Sequence, residues 1–308
     1  MMMALDALLP VLLVILTGHV VARLGLVTGD HWRGFEKIAY YVLFPCIIIR
    51  NLALVDFADL PYLALGATLA GSILVMSVIL LVLRPLLERW FAVSPVRFTS
   101  IYQGAVRWNT FVGLAMADRL WGAEGVALIA VAIVAMIPLL NVLSVLVMIR
   151  FAAGTSTGVL RVLADLVKNP YIWSTVVGLA INLTGLMPPE AVMVSMEMMG
   201  RAALAAGLMV VGASLDIGAL RRPGPALATS TVLRLIGMPL LAAGFAATFG
   251  LTGTALGVAI LGTAVPTATG AYLLARQMGG DANLMAEILT FQTVAAIVTL
   301  PLALAMLG

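Results

Sequence analysis

The chain has 308 residues, 63% of them hydrophobic and only 10% charged, against about 25% charged in soluble domains. Apolar runs long enough to cross a hydrocarbon core about 30 Å thick recur from end to end, so the chain reads as an integral membrane protein with no soluble domain left over. The single cysteine, Cys46, excludes an intrachain disulfide, and the net charge of +3 is spread over short loops, which fits orientation in a bilayer rather than nucleic-acid binding.

In chain order, ten spans are predicted near 4–23, 36–54, 62–84, 98–117, 124–149, 166–184, 190–215, 225–249, 254–275 and 283–306. The first follows Met1 without the basic n-region or cleavage site of a signal peptide and is read as a retained helix. Turn-forming clusters separate the spans, among them Val27 to Asp30, Pro188-Pro189, Arg221 to Gly224 and Gly279 to Asp281. If the odd-numbered connections are cytoplasmic, that side collects twelve basic residues: Arg23, Arg33, Lys37, Arg84, Arg89, Arg97, Arg150, Arg161, Lys168, Arg221, Arg222 and Arg276. The other side has Arg119 alone. Basic residues favour the cytoplasmic face, so both termini are expected outside, in a multi-pass protein of the cytoplasmic (inner) membrane.

The chain echoes itself. Pro10, Gly18, Gly25 and Leu26 match Pro170, Gly178, Gly185 and Leu186 without a gap, residues 36–54 lie over 197–215, and Asn109, Thr110, Gly113, Arg119 and Gly122 fall opposite Pro266, Thr267, Gly270, Arg276 and Gly279. This predicts two five-helix halves, 1–153 and 154–308. Because five is odd, the second half enters the membrane from the opposite side, the inverted repeat of many secondary transporters.

Two stretches interrupt spans that are otherwise apolar: GAVRWNTFVG (Gly104 to Gly113) and GTAVPTATGAY (Gly262 to Tyr272). Pro266 has no N–H and cannot sustain a regular helix ladder. A half-helix N-terminus at midplane exposes unpaired N–H groups and favours an anion. Asn109, Thr110, Thr267 and Thr269 add side-chain hydrogen bonds. These features predict that the two broken helices cross and bind substrate. The competing reading is a proline kink satisfied by threonine hydroxyls. Arg107, some 15 Å into its span by helix rise, needs a partner, either a substrate carboxylate or the carbonyls of the broken helix.

Glu197 and Arg201 share a helix face in the favourable order, as a scaffold ion pair or as coupling groups. Arg234 sits deep in the eighth span and either pairs with Glu197 or faces the site. Gln292, at mid-depth in the tenth, is a candidate for the cavity lining, and Arg50 is expected to snorkel. Pro45 is expected to break the second span beside Cys46. Neither HExxH nor GxxxxGK occurs, nor a paired acidic motif for magnesium, and two histidines and one cysteine make a metal cluster improbable. No cofactor or enzymatic activity is implied, and transport must be driven by gradients. The main alternative is a membrane-embedded sensor or binding protein that does not translocate.

Several stretches resemble the auxin efflux carrier family of PIN-type permeases and their bacterial relatives: GFEKIAYYVLFP (Gly34 to Pro45), RWNTFVGL (Arg107 to Leu114), Lys168-Asn169-Pro170, AVPTATGAY (Ala264 to Tyr272) with Gly279-Gly280-Asp281, and Thr299-Leu300-Pro301. The family often has proline near Ala115, which this chain lacks, and the long central cytoplasmic loop of the plant carriers is absent. The resemblance implies an all-α fold like that of the bile acid sodium symporters, with scaffold and transport parts moving as an elevator. It also implies small organic anions as substrates, mono- or dicarboxylates, with a coupling proton or sodium ion left open and a homodimer compatible with the fold. Asn109 matches the asparagine that the family places near its substrate. The family's pocket-lining positions after the second-span proline make Cys46, Ile47, Leu208 and Met209 candidate apolar walls.

Overall fold

The computed structural model describes residues 2–54, 61–152, 170–218 and 224–305. Arg161, Lys168, Asn169, Arg221, Arg222 and the expected boundary between the halves lie outside them. Among the described residues there is no strand. Helix α1 (Met2–Arg23) is followed by α2 (Gly29–Ile38), a π-turn (Ala39–Leu43) and α3 (Phe44–Leu54), which run on as one rod. Then come α4 (Tyr62–Phe91), α5 (Pro95–Val106) and α6 (Thr110–Phe151). The second part holds α7 (Pro170–Thr184), α8 (Glu190–Ala213), α9 (Pro225–Val232), a second π-turn (Leu233–Gly237) and α10 (Met238–Thr248). Last are α11 (Gly253–Ala264), α12 (Thr269–Gln277) and α13 (Ala282–Ala305).

Among the described residues, seven helical segments are long and apolar enough to cross a membrane, and two shorter apolar helices, Leu8–Arg23 and Trp173–Thr184, accompany them. One of the seven, Pro95–Phe151, is not a single rod. It is broken between α5 and α6 and kinks inside α6 at Gly122, whose φ of 58° and ψ of −138° lie where only glycine settles at low cost. Large apolar side chains such as Leu13, Val82, Leu240 and Leu302 are exposed on the outside, as a lipid-facing surface requires.

Helices approach closely where a glycine replaces a side chain. Helix α1 packs on α8 so tightly that a Cβ added at Gly18 would meet Met209 O at 2.1 Å, and one at Gly212 would meet Ile15 O at 1.8 Å. Helix α7 packs on α3 in the same manner, with Gly178 against Ile49 and Leu52.

The second span differs from expectation. Pro45 sits inside α3, and the irregularity precedes it as the π-turn, in which Phe44 N–H reaches back five residues to Ala39 O. The second π-turn repeats this one residue before Pro239, with Met238 N–H bonded to Leu233 O. A proline cannot donate to the carbonyl four residues back, and the wider turn absorbs the mismatch without breaking the rod. Helix α8 runs unbroken through Ala206-Gly207.

Candidate functional site

The two interrupted stretches meet. Helix α5 ends at Val106 and α11 at Ala264, and each chain then runs extended for a few residues before α6 and α12 begin. Across the gap Asn109 N–H donates to Pro266 O at 2.8 Å. Asn109 also caps α6: its Oδ1 accepts from Phe111 N–H (3.1 Å) and Val112 N–H (3.2 Å), the arrangement that satisfies a helix's first orphan donors. Its Nδ2 is buried and has no partner among the described residues. Thr110, the first residue of α6, is half-buried.

Arg234 holds the crossing from behind. It is fully buried in the second π-turn and donates to Val265 O (2.8 Å), Gly262 O (2.9 Å) and Val106 O (3.3 Å). Its guanidinium therefore caps the carbonyl ends of both α5 and α11, where two helix dipoles converge with their negative poles and a cation is most stabilising. The expected pairing with Glu197 does not occur, because Glu197 lies elsewhere.

Gln292 ties the crossing to α13. Its Oε1 accepts from Thr267 N–H at 2.9 Å, and its Nε2 donates to Gly104 O at 3.0 Å and lies 3.4 Å from Ser230 O and Oγ. Thr267 is itself fully buried and donates to Gln103 O at 3.4 Å. Both residues thus spend their hydrogen bonds inside the protein, bracing the second break rather than presenting free groups.

Open donors gather on the other flank. Arg107 donates through Nη2 to Asn141 Oδ1 at 3.3 Å while Nη1 is buried without a partner among the described residues. Its Nη2 lies 3.8 Å from where a Cβ of Gly270 would stand, in the first turn of α12. The N-cap of α12 is Ala268, which supplies no side-chain acceptor. Thr269, next in the chain, donates to Glu36 Oε1 at 3.4 Å. Phe44, at the end of the first π-turn, stacks on Phe111 with ring centroids 4.7 Å apart, coupling the second span to the crossing.

Glu197 belongs to a separate cluster. It binds Arg50 at 2.7 Å and Arg201 at 2.6 Å, beside a cavity of about 310 Å³ that Asp118 also lines. Arg50 was expected to snorkel; instead it pairs across helices with a carboxylate 147 residues away in sequence. Cys46 contacts Val42 O (3.2 Å) and Met199 on α8 (3.9 Å). Ile47 packs at Gly200 and the Met209 backbone at Gly18, and Leu208 is buried, so these candidate wall residues serve helix packing. The Glu36 carboxylate, which sequence reasoning left out of the site, lies within it.

Residues 158–304 match the family profile described as "Membrane transport protein". Over 305 residues, 96% of either chain, the sequence is 23% identical to a protein of Methanothermobacter thermautotrophicus (strain Delta H) described as an uncharacterized transporter. These similarities support a membrane transporter, and with it a bilayer and a transported substrate.

Proposed function

We propose that the chain is a permease of the auxin efflux carrier family, a secondary transporter that moves small organic anions, mono- or dicarboxylates, across the cytoplasmic membrane by alternating access. The observation that carries the reading is the meeting of the two breaks at Asn109 and Pro266, with Asn109 Nδ2 and Arg107 Nη1 buried and free of partners among the described residues. Buried donors without acceptors are costly. A bound carboxylate supplies acceptors for both and places its charge near the N-termini of α6 and α12, where the dipoles favour it.

The architecture proposed with this function is ten spans in two inverted five-helix halves, 1–153 and 154–308. Seven long segments, two short apolar helices and the kink at Gly122, which divides the 42 residues of α6, support the number. Reciprocal packing supports the symmetry: Gly18 of α1 against Met209 of α8 has its counterpart in Gly178 of α7 against Ile49 of α3.

Counterflow in proteoliposomes tests the function. Vesicles preloaded with one acid from a panel of mono- and dicarboxylates are diluted into the same labelled compound. Transient accumulation with wild type, lost in a variant without the Asn109 donor, is the expected result. Binding without accumulation would favour a sensor over a transporter.

A further inference from the structure

We propose that Glu36 is the proton-coupling residue of this permease: its carboxylate is the site's resident anion, and a substrate carboxylate enters only once Glu36 is protonated. The inference rests on the anion-site reading above. Glu36 lies in the last turn of α2, half-buried within a membrane-crossing segment. Its Oε1 is 3.4 Å from Thr269 Oγ1 at the start of α12. Arg107 reaches the next residue of that turn, Gly270, and Tyr40 stands within electrostatic reach of both Glu36 and Arg107. One anion and one cation thus share the N-terminal end of a half-helix that has no side-chain cap.

Charge accounting makes the carboxylate a competitor. With Glu36 ionised, Glu36 and Arg107 sum to zero, and a second carboxylate would leave a net negative charge inside the membrane. Two carboxylates sharing one poorly solvated site cannot both remain ionised at little cost, and one of them takes up a proton. The one that gives way is Glu36, because among the described residues it accepts from the Thr269 hydroxyl and has no ion-pair partner. The proton comes from the aqueous side to which the site is open and returns to water when Glu36 reionises after substrate leaves. No bond other than O–H is made or broken.

The other charged groups on α2 and α8 are paired or exposed. On its own helix, Arg33 pairs with Asp30, while His31 contacts Thr28 and Lys37 is exposed. From the π-turn Tyr40 faces it, while Tyr41 is exposed. Helix α8 packs against α2, and its ionisable residues are Glu190, Glu197 and Arg201; the last two bind each other, and Glu197 binds Arg50 as well.

Isothermal titration of the purified full chain with malonate and with acetate between about pH 6.5 and 8.5, in two buffers of different ionisation enthalpy, tests the proposal. The bound state holds one more proton than the free state, so affinity should fall as pH rises, approaching tenfold per unit, and one proton should be taken up per anion bound. Glu36→Gln should bind with a flat pH profile and no proton uptake. Glu36→Asp, which keeps the acid, should retain uptake and guards against a glutamine variant that fails to fold. A flat wild-type profile, or a pH dependence that survives in Glu36→Gln, would overturn the coupling while leaving the anion site standing. No binding of either acid at any pH would overturn the site itself and the coupling with it.

Discussion

Asn109 has two ends with two tasks, and substitution can separate them. Its Oδ1 caps α6 while its Nδ2 has no partner among the described residues. Serine keeps a capping oxygen and lacks the amide donor, so Asn109→Ser should fold and melt close to wild type. Its anion affinity should fall about tenfold or more, the worth of one hydrogen bond to a charged acceptor. Asn109→Ala should lose the same affinity and in addition about 1 kcal/mol of stability with the cap. Thermal melting in detergent beside direct binding distinguishes the two losses. Arg234→Met should behave in the opposite sense. It leaves carbonyls of two helix ends without donors, at about 1–3 kcal/mol each, and should reduce the yield of monodisperse protein before any effect on binding is measurable. Good behaviour of Arg234→Met by size-exclusion chromatography would remove Arg234 from its clamping role. Glu197→Gln should leave any pH profile of binding unchanged, since its carboxylate serves two arginines away from the crossing. A flattened profile in that variant would move the coupling role from Glu36 to Glu197.

The elements were more legible than their partners. Pro266 and Asn109 stand out because a ring without N–H and a polar amide are unexpected in apolar runs, and such residues carry their meaning locally. Arg234 does not announce its role, because its partners are backbone carbonyls that leave no mark in sequence. Nor do Arg50 with Glu197 and Glu36 with Thr269, which fold together across 147 and 233 residues. The π-turns were hidden for another reason: Pro45 and Pro239 suggest breaks, whereas the chain widens one turn ahead of each. That device lets the second and eighth spans remain rods while turning Tyr40 and Arg234, the second residues of the two π-turns, toward the crossing. The contact between α1 and α8 offers a test at the same scale. Gly212→Ala places a methyl 1.8 Å from a main-chain carbonyl, whereas Gly244 has open space around it. A backbone contact cannot yield as a flexible side chain does. Gly212→Ala should therefore lower the melting temperature by several degrees or prevent accumulation, and Gly244→Ala should be neutral or slightly stabilising; equal behaviour of the two would mean that α1 and α8 are less tightly joined than their glycines imply.

At the scale of the whole molecule, contacts sort the connections onto two faces. On one face Arg23 lies 3.7 Å from Asp216, Arg97 lies 3.6 Å from Asp281, and Arg84 and Arg150 both cover the ring of Phe151. These residues flank the odd-numbered connections. At the opposite end Arg50 meets Glu197, and Asn182 donates to Ala53 O at 3.2 Å, joining the ends of spans that flank even-numbered connections. Arg23, Arg84, Arg97 and Arg150 thus lie at the end that the bias toward cytoplasmic Lys and Arg is expected to orient inward. A single native cysteine makes the orientation measurable. In a Cys46→Ala background, Met187→Cys reports the connection after α7 and Gly224→Cys the one before α9. Met187 is exposed, and a side chain added at Gly224 meets nothing within 4 Å. An impermeant maleimide applied to right-side-out vesicles should label Met187→Cys at once and Gly224→Cys only after permeabilisation. The reverse pattern would turn the molecule over in the membrane. Glu36 would then take its proton from the outer rather than the inner aqueous phase when the site is open toward the basic end, and the direction in which a proton gradient drives the anion through that opening would reverse with it.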